Sequence, residues 1–371
     1  MRLKVLHTAD LHLGMTFNNR DYPADVRQQL VEARFKSLEE LVSLANREKC
    51  HLLLIAGDLF HRTNIAAEQV VKTVDILKGF SGLTALLPGN HDYYEAHGQL
   101  WPMLKELAFE ELILLTGERP YNFKEYGLDL SLYPAPCTSR HAADNRLAWI
   151  SALSERPQTR WHIGIAHGTL RGVAPDLKDQ YYPMDEGELT ALKMDLWLLG
   201  HTHKPYPEAG ELNNPPYLYS GTPEPDGFDC RHEGSAWLVD FMPEAIQAAQ
   251  VITGHFNFME LEKEIWSVEE LRSLENSLAA YGKQTLLKLR LSGTLPADEY
   301  ENRHTFYRKI DDQLFYLERD DSGLGPELNA EVIAESFPAG SFPGRFLERL
   351  YESGNRDALQ LAYRLIEEVR K

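Results

Sequence analysis

Five short apolar runs in this chain each stop at a polar motif, and that order constrains the fold more than any other feature. Leu3-Lys-Val-Leu-His-Thr8 leads to Asp10 and His12, Leu52–Ala56 to Gly57-Asp58, and Leu83–Leu87 through Pro88 to Gly89-Asn90-His91-Asp92. The run at 161–166 leads to His167, and Leu196-Trp-Leu-Leu-Gly200 to His201 and His203. Continuous apolar runs of this length read as strands, and Leu52–Ala56 as one buried on both faces. Residues 25–48 carry Val26, Leu30, Leu38, Leu41, Val42 and Ala45 at largely helical spacing, and Val70, Val71, Val74 and Leu77 mark a second helix. Strand–helix–strand alternation predicts an α/β domain with helices layered over sheet. Loops at one edge of a sheet converge, so these distant side chains can meet.

Each motif alone is weak evidence, since the chain has 14 histidines and most need no function. Jointly they describe a metal site. Carboxylates, imidazoles and an amide oxygen suit borderline divalent ions such as Mn²⁺, Fe²⁺ or Zn²⁺. The three cysteines, Cys50, Cys137 and Cys230, are scattered without a CxxC pair, which argues against a disulfide framework or a thiolate zinc site. Two ions roughly 4 Å apart need a bridging group, and a carboxylate is the natural one. The net charge of −18 is unlike that of a protein that holds phosphates without metal. Either nucleic acid is not the partner, or bound cations and local basic patches supply the attraction.

Further strands are expected at 112–115, 128–133, 217–219 and 236–241, and around the alternating stretch His255 to Glu262. Several are not separated by helices, which predicts a mixed sheet or two packed sheets. The texture changes near residue 263. Ser267-Val-Glu-Glu270 is a capping box, Thr285–Leu291 alternates as a strand, 297–312 reads as a helix and Leu314–Leu317 as another strand. Residues 318–326 read as a linker and 327–371 as helical, the last helix carrying a stripe of Ala358, Leu361, Ala362, Leu365, Ile366 and Val369. The expected domains are therefore 1–262, a small α+β unit at 263–320 and a helical region at 327–371. No run approaches the roughly 20 apolar residues of a membrane span. The first residues lack a signal-peptide pattern, so the expected compartment is the cytoplasm.

The motif set D-x-H, G-D, G-N-H-D, H and G-H-T-H resembles that of the calcineurin-like metallophosphoesterases over residues 3 to about 240. The resemblance implies a sandwich of two mixed sheets flanked by helices. Asp10, His12, Asp58 and His203 would hold one ion, and Asp58, Asn90, His167 and His201 the other, with Asp58 as the bridge. His91 would face the substrate phosphate as an acid or charge stabiliser, and a hydroxide bridging the ions would attack phosphorus. More narrowly, Leu6-His-Thr-Ala-Asp-Leu-His-Leu-Gly14, Gly57-Asp-Leu-Phe-His61 and Tyr219-Ser-Gly-Thr-Pro223 resemble the SbcD-type DNA repair nucleases. Leu11 stands where the bacterial pattern usually has Trp. The G-D-x-x-D-R-G of phosphoprotein phosphatases is absent, since His61 and Thr63 replace its second acid and closing glycine. This resemblance implies two ions, most often Mn²⁺, with DNA as substrate. It also implies an SMC-like ATPase docked on the C-terminal helices; a homodimer is a further candidate assembly that the sequence does not decide. The competing reading is an enzyme acting on a small nucleotide or phosphorylated metabolite.

His61, three residues after Asp58, matches a substrate-side histidine of the nuclease relatives. His162 competes with His167, but it precedes its strand rather than ending it. His7, inside the first strand, is expected to pack in the core. Loop residues Arg171, Lys178, Tyr181 and Tyr182, and Asn18, Asn19 and Arg20, are candidates for gripping a nucleic-acid strand.

Overall fold

The first apolar run becomes β1 (Leu3–Thr8), which pairs in parallel with β2 (Leu52–Ala56). The computed structural model describes residues 2–173, 176 and 178–370. After β1 come α1 (Ala24–Arg47), β2, α2 (Ala67–Leu77), β3 (Leu83–Leu87), α3 (Leu100–Leu107) and β4 (Leu112–Leu114). Each crossover helix returns the chain to the same sheet edge, so β1, β2, β3 and β4 are parallel. A second series follows: β5 (Tyr121–Asn122), β6 (Leu130–Ala135), α4 (Ala148–Ser151), β7 (Trp161–His167), α5 (Glu186–Ala191), β8 (Leu196–Gly200) and β9 (Pro205–Tyr206). The unit closes with β10 (Glu211–Asn213), β11 (Tyr217–Ser220), β12 (Ser235–Phe241) and β13 (Ile246–Ile252).

These strands form two mixed sheets, ordered β10-β13-β12-β1-β2-β3-β4 and β5-β6-β7-β8-β11-β9. Inward residues of both, among them Val5, Leu54, Ala85, Leu132, Ile163 and Leu198, share one buried cluster, which makes the unit a sandwich. A second cluster packs α1, α2 and α3 on the outer face of the first sheet through Leu38, Leu41, Val70, Val74 and Leu104. A third covers the outer face of the second sheet with α4 and α5. The expected two-sheet architecture is present, and the strand positions agree within a few residues. The sequence reading did not anticipate α3, β13 or the short edge strands.

The chain divides into two units, Met1–Phe258 and Met259–Lys371. The second unit is built on a sheet of β14 (Asn257–Ile265), β15 (Thr285–Leu295) and β16 (Tyr316–Pro326), with α6 (Val268–Leu278), α7 (Ala297–Glu301) and α8 (Arg303–Asp311). The capping box forms: the Ser267 hydroxyl accepts the Glu270 N–H, and the Glu270 carboxylate accepts the Trp266 N–H. The helix expected over 297–312 is broken at Asn302, whose side chain donates to the Asp298 carbonyl. Residues 318–326 are not a linker but most of β16, parallel to β15 with a register shift between Arg290 and Ser292. The acidic residues that suggested a loop are neutralised on the strand, Glu318 by Lys288 at 2.7 Å and Asp321 by Arg303 at 2.8 Å.

Three further helices, α9 (Ala330–Ser336), α10 (Phe342–Glu352) and α11 (Arg356–Arg370), have their own core of Leu328, Ile333, Phe337, Leu347, Leu359 and Ala362. The expected stripe of α11 is split. Ala362 and Ile366 face that core, but Leu361, Leu365 and Val369 are 53%, 54% and 88% exposed, and Leu359 takes the inward position instead.

Candidate metal centre

The motifs converge because the parallel ladder outlasts its strands. Beyond β1 and β2, Asp10 N–H donates to the Gly57 carbonyl, His12 N–H to Asp58 and Leu13 N–H to Leu59, at 2.9–3.1 Å. Side chains are turned inward by left-handed backbone. Asp10, His12, Asp58 and His201 have φ of 57°, 48°, 53° and 98°. Such backbone costs an L-residue on the order of 1–3 kcal/mol and persists only where surroundings enforce it. Four such residues in one place mark the site. Glycine is required for close approach. A Cβ on Gly57 (φ +92°) would lie 2.2 Å from His167 Nδ1, and one on Gly89 would lie 2.1 Å from Asp58 Oδ1. Asp92, wholly buried, pins the second and third motifs together. It accepts the N–H groups of Gly89 (2.7 Å), Asp58 (3.3 Å) and Phe60 (3.0 Å).

The donor atoms of the resulting cluster face one another. His12 Nε2 lies 3.0 Å from His203 Nε2, and Asn90 Oδ1 lies 3.0 Å from His167 Nε2 and 3.1 Å from His201 Nδ1. Asp58 Oδ2 is 3.7 Å from His12 Nε2 and 3.3 Å from His167 Nε2, between the two groups. Asp10 belongs with His12 and His203 on one side, and with Asp58 and His167 on the other. Metal bonds of about 2.1 Å hold neighbouring ligands roughly 3 Å apart, so these separations fit the edges of coordination polyhedra. Protonation agrees. Burial, then neighbouring His167, pushes His201 down to about 3, and burial drives His12 well below its ordinary value. Both are held as the neutral imidazole that ligates metal. Burial pushes Asp10 up to about 6, a penalty that a bound cation would remove. Burial also opposes the charge of Asp58, but His167 and His12 outweigh it and hold the carboxyl low. The same contact raises His167 to about 9 against the effect of its burial.

A family model described as calcineurin-like phosphoesterase matches residues 3–205. The chain belongs to this family. Its enzymes are metal-dependent hydrolases that bind two divalent ions, and the cluster is a fitting site for them. Among curated relatives, the chain is 29% identical over 223 residues to the uncharacterized metallophosphoesterase YhaO of Bacillus subtilis, covering 59% of this chain and 52% of that protein. It therefore spans about half the length of that relative. It is 24% identical to the DNA double-strand break repair protein Mre11 of Saccharolobus solfataricus (72% of this chain, 70% of that one). It is 23% identical to the D component of the nuclease SbcCD of Staphylococcus saprophyticus (74% and 77%).

Around the phosphoesterase centre, His91 Nδ1 lies 3.0 Å from the His61 carbonyl, so it carries the proton and leaves Nε2 free. The His61 ring stacks on that of His91 at 5.2 Å, and its Nδ1 is 3.4 Å from His12 Nδ1. His61 thus lies at the cluster, its imidazole pushed down to about 4 by burial and by His91. His162 is elsewhere, 2.7 Å from the Tyr133 hydroxyl, and His7 is core, 3.2 Å from the Leu199 carbonyl. Of the loop candidates, Arg171 is committed to Asp179 and Asp185, and the Tyr182 hydroxyl accepts the Thr138 and Ser139 N–H groups. Tyr181 packs its ring 4.9 Å from that of His201.

Sequence reasoning missed Asp226, whose Oδ2 is 3.2 Å from His203 Nδ1, and Arg34, buried on α1 and 3.6 Å from the same carboxylate. It also gave Cys230 no place, yet the thiol donates to Asp226 Oδ1 at 3.2 Å. Burial raises that thiol, so it remains protonated and is a poor metal donor.

Proposed function

We propose that this metallophosphoesterase is a phosphodiesterase acting on DNA with Mn²⁺, with Asp10, His12, Asp58 and His203 around one ion and Asp58, Asn90, His167 and His201 around the other. The observation that carries the reading is the meeting of seven donors at five strand ends, six of them in pairs 3.0–3.3 Å apart and Asp10 within 4.8 Å of His12 and His203. When bound, two such ions supply a water of lowered pKa and positive charge for the phosphate. The chain's own residues do the rest. The fixed Nδ1–H of His91 leaves its Nε2 to meet a phosphoryl oxygen or the leaving group. His61 holds that ring through its carbonyl and stacks on it. The mixed oxygen and imidazole set without thiolate favours Mn²⁺ over a structural zinc.

DNA as substrate is supported by similarity to a DNA double-strand break repair protein and to a nuclease component. The helices after β16 are proposed to dock an SMC-like ATPase, in keeping with the outward Leu361, Leu365 and Val369. We place the end of the phosphoesterase domain near residue 258, with the β14–β16 unit and the helices after β16 following it, in place of the boundaries expected at 262 and 320, and the protein in the cytoplasm. Among the described residues no helix is long and apolar enough to cross a membrane.

The test is a side-by-side assay with Mn²⁺ on single-stranded DNA, duplex DNA, bis-p-nitrophenyl phosphate and a mononucleotide, each repeated in EDTA. Hydrolysis of DNA and the diester, abolished by EDTA, is expected. Cleavage of the mononucleotide alone would move the assignment to a small-molecule phosphatase, and full activity in EDTA would end the two-ion reading.

A further inference from the structure

Arg34 projects from α1 into the interior and is 1% exposed. A guanidinium cannot lose its charge in a protein, so its burial requires compensating partners. Two are present. Nη1 donates to the Leu11 carbonyl at 2.6 Å, and Nη2 lies 3.6 Å from Asp226 Oδ2. Leu11 is the residue between Asp10 and His12, both left-handed, so this bond braces the strained segment that carries two donors. Asp226 has a second duty. The same Oδ2 is 3.2 Å from His203 Nδ1, which fixes the proton there and turns Nε2 toward His12 Nε2. The carboxylate stands on the far side of the ring from the cluster, so it orients a donor rather than being one.

Resting on the two-ion reading, we propose that the Arg34–Asp226 pair is the positioning element of one ion's subsite. It sets the 10–12 segment and the His203 ring relative to each other, although they lie 191 residues apart from His12 to His203. Neither residue touches substrate. A carboxylate behind a ligating imidazole typically raises metal affinity about 10–100-fold, and here one guanidinium ties that carboxylate to the opposite pair of donors. The effect falls chiefly on one ion, because the side chains of Asn90, His167 and His201 bond to one another, to Asp58 and to the Ala56 and Arg140 carbonyls, and this second group meets the braced segment through the backbone N–H of His201 on the Asp10 carboxylate.

The experiment is Mn²⁺ titration of the metal-free full chain by calorimetry, with Asp226→Asn and Arg34→Met beside the wild type. The wild type should bind two ions. Each variant should bind one ion as before and the other about 10–100-fold more weakly, with the metal-free melting temperature changed far less than the affinity. If the wild type binds no ion, the metal-centre reading itself fails. If it binds two and both variants match it, the positioning role is overturned. Equal weakening of both ions in step with a lowered melting temperature is a folding defect and overturns it too. Should the variants not fold, nitrogen-15 histidine spectra of the Zn²⁺-loaded wild type decide. His203 protonated at Nδ1 and bound through Nε2 is expected, and binding through Nδ1 refutes the proposal.

Discussion

Asp58 Oδ1 accepts the backbone N–H of His91 at 2.8 Å, so one oxygen of the proposed bridge orients the third motif while only Oδ2 faces both donor groups. The two residues are coupled in structure but separate in chemistry. Asp58→Asn should lose activity and at least one ion, because the remaining oxygen carries no charge. His91→Asn should lose roughly 10²–10⁴-fold in rate while retaining both ions. Metal counting on purified variants distinguishes them, and loss of an ion from His91→Asn would reassign that histidine as a ligand.

Gly89 tests the close approach. An alanine Cβ there would meet Asp58 Oδ1 at 2.1 Å and Asp58 N at 2.3 Å, which a rigid, buried loop cannot relieve. Gly89→Ala should therefore lower metal content and melting temperature together. Gly187, exposed within α5 and with nothing within 4 Å of a built Cβ, is the control. Gly187→Ala should leave metal content unchanged and stabilise by about 0.5–1 kcal/mol.

The site's motifs were legible because each is local: a strand run, a turn and a donor, repeated in the order that parallel strands impose. The positioning of those donors was not legible. Arg34 lies among the apolar residues of α1 with no motif around it, and its partner Asp226 is remote in sequence, inside a segment that reads as a loop. Asp92 was visible as a motif residue, but its task depends on three N–H groups from two separate loops. The misreading of β16 has a different cause. Its Arg319-Asp-Asp-Ser-Gly323 composition is that of a loop, and strand pairing with β15, with cations from Lys288 on β15 and Arg303 on α8, overrides it.

His7 gives a pH dependence independent of the ligands. Burial pushes it down to about 4, against an ordinary value of 6.5. The folded state thus binds fewer protons than the unfolded one at intermediate pH. Its contribution is complete above pH 6.5 and disappears as pH falls through 4, amounting to about 3 kcal/mol at most. In urea unfolding of the metal-free protein, wild type should lose more stability between pH 7 and pH 5 than His7→Gln. Identical losses would show that His7 is not buried neutral.

The last three helices separate packing from recognition. Leu347 is wholly buried in their core, so Leu347→Ala should cost about 2–5 kcal/mol in that part of the chain. Leu365 is 54% exposed, so Leu365→Asp should leave melting unchanged while abolishing pull-down of an SMC-like ATPase. Hydrolysis of a small diester should survive both. A large drop in melting for Leu365→Asp would instead assign that face to the chain's own core.

The proposed ligands come from both sheets: Asp10, His12, Asp58 and Asn90 follow β1, β2 and β3, while His167 ends β7 and His201 and His203 follow β8. Bound ions would therefore rivet one edge of a sandwich that is otherwise joined by apolar side chains. Metal uptake and cohesion become two readings of one equilibrium, each ion at a thousandfold excess over its dissociation constant adding about 4 kcal/mol. The linkage runs in both directions. A change that loosens the seam far from any ligand, for instance at Leu132 between the sheets, lowers the apparent metal affinity to the extent that it depopulates the folded chain, and scarcity of metal removes that same increment of stability from the seam.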